Sequence, residues 1–168
     1  MNNPPVEESL DPADWEALRR LAHQAIDDGF DHLQGVRDRP VWQPVPEAIV
    51  ARLRQPAPRL PQGAESAYRE FKEIVMPFSM CNTHPRFWSW FMGNGTPFAA
   101  VGDFLAAVLN PNMGGGNHVP NHVEAQVIDW CKEIVGFPAE SSGLLVSGGS
   151  MANFVGLAVA RNSRAGID

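Results

Sequence analysis

Apolar residues recur at helical spacing through the first fifth of the chain. Trp15, Leu18, Ala22, Ala25, Ile26 and Leu33 make one stripe, the mark of an amphipathic helix. Asp11-Pro12 reads as its start, an N-cap followed by proline at the first helical position. Pro40, Pro44 and Pro46 end that helix and open a short second one through Ile49, Val50 and Leu53. Pro56, Pro58 and Pro61 form an extended connector before a third helix, from about Ala64 to Val75. Short amphipathic helices on extended tethers cannot bury their own apolar faces. Residues 1–78 are therefore expected to form a helical arm wrapped around a partner subunit. The alternatives are the rest of this chain as the covering surface, or a loosely ordered N-terminus.

From His84 the pattern shifts toward aromatics, glycine and longer apolar runs. His84-Pro85-Arg86-Phe87-Trp88-Ser89-Trp90-Phe91 precedes a loop around Gly93-Asn94-Gly95. A helix is predicted from Phe98 to Leu109, broken by Asn110-Pro111. A second glycine loop, Gly114-Gly115-Gly116, leads to a helix from about Asn121 to Val135, which Gly136-Phe137-Pro138 ends. Val123, Val127, Trp130, Cys131 and Ile134 mark its apolar face.

Residues Leu144 to Arg161, LLVSGGSMANFVGLAVAR, carry the strongest local signal. Leu144, Leu145 and Val146 read as a buried strand, Ser147-Gly148-Gly149-Ser150 as a tight turn, and the remainder as a helix capped by Ser150. The first amides of a helix have no intrahelical acceptor, and the helix dipole adds positive potential there. A phosphate fits such a place, and two glycines let backbone approach it closely. The same pattern also serves a plain tight connection.

Composition narrows the class. No apolar run among the 168 residues approaches transmembrane length, and the N-terminus lacks the basic and apolar regions of a signal peptide. Cys81 and Cys131 lie fifty residues apart without metal-ligand spacing, so reduced thiols in a cytoplasmic protein are expected. A net charge of −6 with no basic patch argues against nucleic acid. No G-x-x-x-x-G-K-[ST] occurs, and Gly93-x-Gly95 lacks the third glycine of a dinucleotide fingerprint.

Taken together, HPRFWSWF (84–91), VEAQVIDWCKEIVGFP (123–138) and LLVSGGSMANFVGLAVAR (144–161) resemble, in order and spacing, the N-terminal portion of the pyridoxal-phosphate-dependent group II amino-acid decarboxylases. That family includes the aromatic-L-amino-acid decarboxylases. The resemblance implies an α/β chain of the aspartate-aminotransferase-like fold (fold type I), mostly helical over these residues, with its sheet incomplete. It implies a homodimer, with residues 79–168 opening the large cofactor-binding domain. Pyridoxal 5'-phosphate is the implied cofactor, its phosphate held by Gly149, Ser150 and Met151. Trp88, Trp90 and Phe91 are implied as a wall for an amino-acid substrate, and Gly93 as part of the loop near its carboxylate. The family's tyrosine-phenylalanine-proline-threonine run is replaced here by Trp90-Phe91-Met92-Gly93.

Such an enzyme needs a Schiff-base lysine, and the only two lysines, Lys72 and Lys132, fall in amphipathic helical segments. No catalytic residue is assigned. The chain is expected to be a truncation, a processed piece or one part of a split enzyme working with a separate C-terminal chain. An inactive relative serving as an interaction module is the alternative. His118 and His122, four apart, have the spacing of metal ligands, but Pro120 lies between them and no third ligand joins them; no metal is expected. His84 reads as a structural hydrogen-bonder, and Asp129 with Glu133 as a solvated face. Arg86 is the only nearby cation for an acidic substrate, and a surface role suits it better.

Overall fold

The computed structural model describes residues 11–166. Among them are seven α-helices and no strand: α1 (Trp15–Gln34), α2 (Glu47–Leu53), α3 (Ala64–Glu70), α4 (Met76–Phe78), α5 (Pro97–Leu109), α6 (Val119–Val135) and α7 (Gly148–Ala165). The chain clusters into two compact units, residues 1–104 and 105–168. The compositional boundary at residue 78 lies inside the first.

Local chemistry explains the helix ends, and it moves several of them from their predicted places. Asp14, not Asp11, caps α1: its carboxylate accepts the Ala17 N–H at 2.9 Å. Thr96 caps α5 through its hydroxyl to Ala99 N (3.2 Å), and Pro97 then fits the first turn, where its missing N–H costs nothing. At the other end Asn110 takes φ +39° and donates its N–H to Ala106 O at 2.8 Å. α6 starts two residues before the predicted point, with His118 at the N-cap and Pro120 in the first turn. Gly136 ends it at φ +72°, and Phe137 N–H returns to Lys132 O at 2.9 Å.

The third predicted helix is one run with a wide turn in it. α3 passes into a π-helical turn, Phe71–Val75, and then into α4. Pro77 is the cause: it lacks an N–H, and its ring clashes with the carbonyl four residues back in regular α-geometry. Ser79 Oγ donates to Val75 O at 2.7 Å, occupying one of the last-turn carbonyls left without a helical N–H where the helix ends at Phe78.

The predicted strand at Leu144–Val146 is not formed. A strand exists through its ladder, and no neighbouring strand lies among the described residues. Leu145 N–H is instead taken by the Glu124 carboxylate at 2.9 Å. The α/β class expected from the sequence is thus represented here by helices alone.

Polar bonds hold the first unit together. Asp28 on α1 accepts from Tyr68 Oη at 2.5 Å and pairs with Lys72 Nζ at 2.7 Å. Arg52 on α2 meets Glu70 on α3 at 3.1 Å, and Gln43 Nε2 donates to Pro77 O at 2.8 Å. Arg39 folds back onto His32, bonding its ring and its carbonyl. Burial, then the Arg39 charge, lowers the His32 pKa. Among the described residues only Ile74 is a buried apolar side chain. The α1 stripe is half-covered, with Trp15, Leu18, Ile26 and Phe30 still exposed.

Hydrogen bonds from Lys72 and Tyr68 hold the Asp28 carboxyl below its ordinary range. The hydrogen bond to Asp28 raises the Tyr68 phenol to about 12. A lowered carboxylate stabilises the fold above the unfolded carboxylate pKa and loses that effect as pH falls through the folded value. The raised phenol contributes below pH about 10 and loses its contribution as pH rises toward about 12. Tyr68 is the only tyrosine of the sequence, so tyrosinate absorbance reads this one group. It should ionise near pH 12, and in Asp28→Asn it should return toward about 10. An unshifted phenol in the native chain would show that the Asp28–Tyr68 bond is not formed.

Candidate functional site

The entry into α7 is the most distinctive local geometry in the second unit. Ser147 occupies the N-cap with φ −77° and ψ 91°, and its side chain makes no capping bond. Gly148 follows at φ +81°, with its N–H bonded to Val146 O at 3.0 Å. A side chain at φ +81° is strained, so the turn needs glycine here. Gly149 is different: its φ is not positive, and a Cβ there would meet nothing within 4 Å. Its value is the open approach it leaves toward the backbone.

The amides of Gly149 and Ser150 sit in the first turn, where an α-helix offers no acceptor, and Met151 follows at the first position whose regular acceptor is the N-cap carbonyl. Ser147 leaves them uncapped, and all three residues are exposed. Ser150 therefore does not cap the helix, as its sequence position suggested. It lies one turn inward, with its hydroxyl and N–H beside the same free amides. This arrangement suits a phosphate group: several N–H donors, the positive end of a helix dipole, a hydroxyl, and no Cβ in the way.

The residues expected to face the substrate lie in the first unit. Trp88, Trp90, Phe91 and Gly93 are exposed, and Phe91 is fully so. In a fully extended segment Trp88 and Trp90 would share one face. The chain bends at Ser89–Trp90 instead, and Trp90 meets Phe87, with ring centroids 6.0 Å apart and planes at 49°. Asn82 Nδ2 donates to Asn94 Oδ1 at 3.2 Å, fixing the Gly93-Asn94-Gly95 loop to the start of this segment. His84 is buried and accepts Arg86 N–H on Nδ1 at 2.9 Å, the structural role expected of it.

Both lysines are committed elsewhere. Lys72 holds Asp28. Lys132 Nζ donates to Asp129 Oδ1, Ala139 O and Ser141 O at 2.7, 2.9 and 2.8 Å, using all three protons. His118 and His122 close the glycine loop: His118 Nε2 bonds Asn112 O at 3.0 Å, and His122 Nε2 bonds Asn117 Oδ1 at 2.7 Å. No group of three or more His, Cys, Asp or Glu side chains placed to hold a metal occurs among the described residues. Nor is any described helix long and apolar enough to cross a membrane.

Residues 46–165 match the pyridoxal-dependent decarboxylase conserved domain. The chain belongs to this family. An aromatic-L-amino-acid decarboxylase from Bacillus atrophaeus is 30% identical over 156 residues, which cover 91% of this chain and 32% of that protein. Tyrosine decarboxylase 2 of Narcissus pseudonarcissus is 26% identical over 94% of this chain and 33% of its own length. These residues thus span about a third of the curated relatives they match. Oryza sativa TDC, solved with PLP and tryptamine, superposes over 95% of this chain and 37% of its own, with TM-score 0.76 at 23% identity. Catharanthus roseus tryptophan decarboxylase, solved with L-tryptophan, gives TM-score 0.61 at 27% identity over 77% of this chain and 28% of its own. Pyridoxal phosphate is the cofactor of the family, and the uncapped start of α7 is chemically suited to its phosphate.

Gly148 and Gly149 separate backbone strain from open approach. Gly148→Ala should destabilise the entry to α7 by about 1–2 kcal/mol. Gly149→Ala should be neutral, or stabilising by up to about 1 kcal/mol, because alanine is the better helix former. Denaturant midpoints of the two variants check this, and equal losses would show that Gly148 does not require its positive φ.

Proposed function

We propose that these residues form the N-terminal part of a homodimeric, pyridoxal-phosphate-dependent carboxy-lyase that decarboxylates an amino acid, preferably an aromatic one. The observation that carries this is the uncapped start of α7, where Gly149 and Ser150 offer free amides and Ser150 a hydroxyl at the positive end of the helix dipole, with Met151 next in the same turn. Ser150 would give the cofactor phosphate both its N–H and its hydroxyl. When bound, the cofactor supplies an electron sink for the pair left as the carboxylate departs. The chain's own residues bind and orient.

Family membership and the likeness to Oryza sativa TDC support the aspartate-aminotransferase-like fold, with residues 79–168 opening its cofactor-binding domain. The names of the relatives, aromatic-L-amino-acid and tyrosine decarboxylases, favour an aromatic substrate. In that role Trp88, Trp90 and Phe91 would wall the ring, and the Gly93 loop would approach the substrate carboxylate. Their exposure leaves them free to do so. The commitment of Lys72 and Lys132 to structural bonds favours a catalytic lysine from outside these residues, in the same polypeptide or in a separate chain. The exposed apolar stripe of α1 is consistent with residues 1–78 acting as the dimer arm.

In the full-length protein, Ser150→Ala removes one hydroxyl contact to a charged phosphate, a loss of about 1.5–3 kcal/mol. Cofactor retention should weaken about ten- to a hundredfold in equilibrium dialysis. Unchanged retention would move the phosphate site elsewhere. Specificity constants for tryptophan, tyrosine, dihydroxyphenylalanine, glutamate and aspartate test the substrate class. The aromatic amino acids should lead, and a preference for an acidic one that Arg86→Ala abolishes would overturn the assignment.

A further inference from the structure

Three residues of α6, each four apart, meet the chain that leads to the phosphate turn. Glu124 Oε1 accepts Leu145 N–H at 2.9 Å. Ile128 stands against Gly143, where an added Cβ would come 3.2 Å from Ile128 Cγ2. Lys132 Nζ donates to Ser141 O at 2.8 Å and to Ala139 O at 2.9 Å. The partners run backward as the helix runs forward: 124 with 145, 128 with 143, 132 with 141.

The spacing is physically matched. Four helical residues rise about 6 Å, and two residues of extended chain advance about 6.6 Å. One face of α6 can therefore contact every second residue of an antiparallel extended segment without accumulating a large mismatch. A slip of one residue would turn every side chain of that segment to the opposite face. It would also advance or retard Ser147 and Gly148, and so displace the free amides that follow.

We propose that the Glu124–Ile128–Lys132 face of α6 sets the register of residues 141–145, and that Glu124 is a positioning residue for the phosphate-binding turn. Glu124 holds the last rung before that turn, two residues from Ser147. It does so with a carboxylate on a backbone N–H, a strong bond for a neutral donor. A Cβ at Gly143 would stand tight against Ile128 Cγ2, which would have to give by a few tenths of an ångström, while the φ of Gly143 is not positive. This inference rests on the cofactor role proposed above for Gly149, Ser150 and Met151.

Amide hydrogen exchange on the cofactor-free full-length protein reads the rung directly, and equilibrium dialysis with pyridoxal phosphate reads its consequence. Glu124→Ala should speed exchange at Leu145 about tenfold and weaken cofactor retention about fivefold, as expected for loss of one hydrogen bond. Glu124→Gln keeps an acceptor oxygen and should restore both to within about twofold of the native protein. If Glu124→Ala does not fold, Gly143→Ala gives the same readouts by pushing the chain from α6, and adding Ile128→Ala should reverse them. Unchanged Leu145 exchange in Glu124→Ala or Gly143→Ala overturns the register role. Faster exchange with unchanged retention overturns the link to the turn, provided Ser150→Ala weakens retention in the same assay. If Ser150→Ala leaves retention unchanged, the cofactor site itself is misplaced, while faster Leu145 exchange in Glu124→Ala still supports the register role.

Discussion

With no sheet among the described residues and a single buried apolar side chain, these helices are placed by polar bonds between side chains and backbone rather than by a shared core. Each unit has its own version. In the first, Asp28 gathers Tyr68 and Lys72 and so joins α1 to the helix carrying the π-helical turn. In the second, Glu124 and Lys132 hold the chain that follows α6. Such bonds are directional and fix a register, whereas burial of apolar surface is non-directional. They supply position; the exposed apolar faces supply the demand for a covering surface.

The phosphate turn follows from that arrangement. A helix N-terminus attracts anions wherever its first amides are uncapped. Many helices satisfy those amides with a Ser, Thr or Asp side chain at the N-cap. Ser147 stands at that position and makes no such bond. Gly148 provides the sharp entry and Gly149 the clearance, so the amides of Gly149 and Ser150 stay available. Upstream, Leu145 N–H is held by α6, two residues before the turn begins. The position of the free amides is thereby tied to a helix of regular geometry.

Much of this was legible in the sequence. Amphipathic spacing located α1, α2 and α6, and proline and glycine punctuation located their ends to within a few residues. The Gly148-Gly149-Ser150 turn read as a phosphate site or a plain tight connection, while the family resemblance pointed to a pyridoxal-dependent decarboxylase, and residues 46–165 match that family. Less legible were the caps. Asp11-Pro12 and Ser150 both satisfy the local rules for a helix start, yet Asp14 and Ser147 hold those positions. Local rules name residues able to cap; which one does depends on where the first turn settles. The wide turn at Phe71–Val75 had a sequence signal in Pro77. The strand at Leu144–Val146 had the correct apolar content and failed for want of a neighbour.

The sequence by itself determined most of the helical segments, the glycine turn and the placement of both lysines in helical segments, because each follows from short-range sterics and residue type. Tertiary structure decided the rest. It assigned Lys72 to Asp28 and Lys132 to the carbonyls of Ala139 and Ser141, partners as many as forty-four residues apart in the chain. It gave Leu145 N–H to Glu124 instead of a strand, and it turned His118 and His122 toward their own glycine loop. A hydrogen bond needs a donor and an acceptor within about 3 Å at a favourable angle. Only the folded path of the chain decides which groups meet that condition.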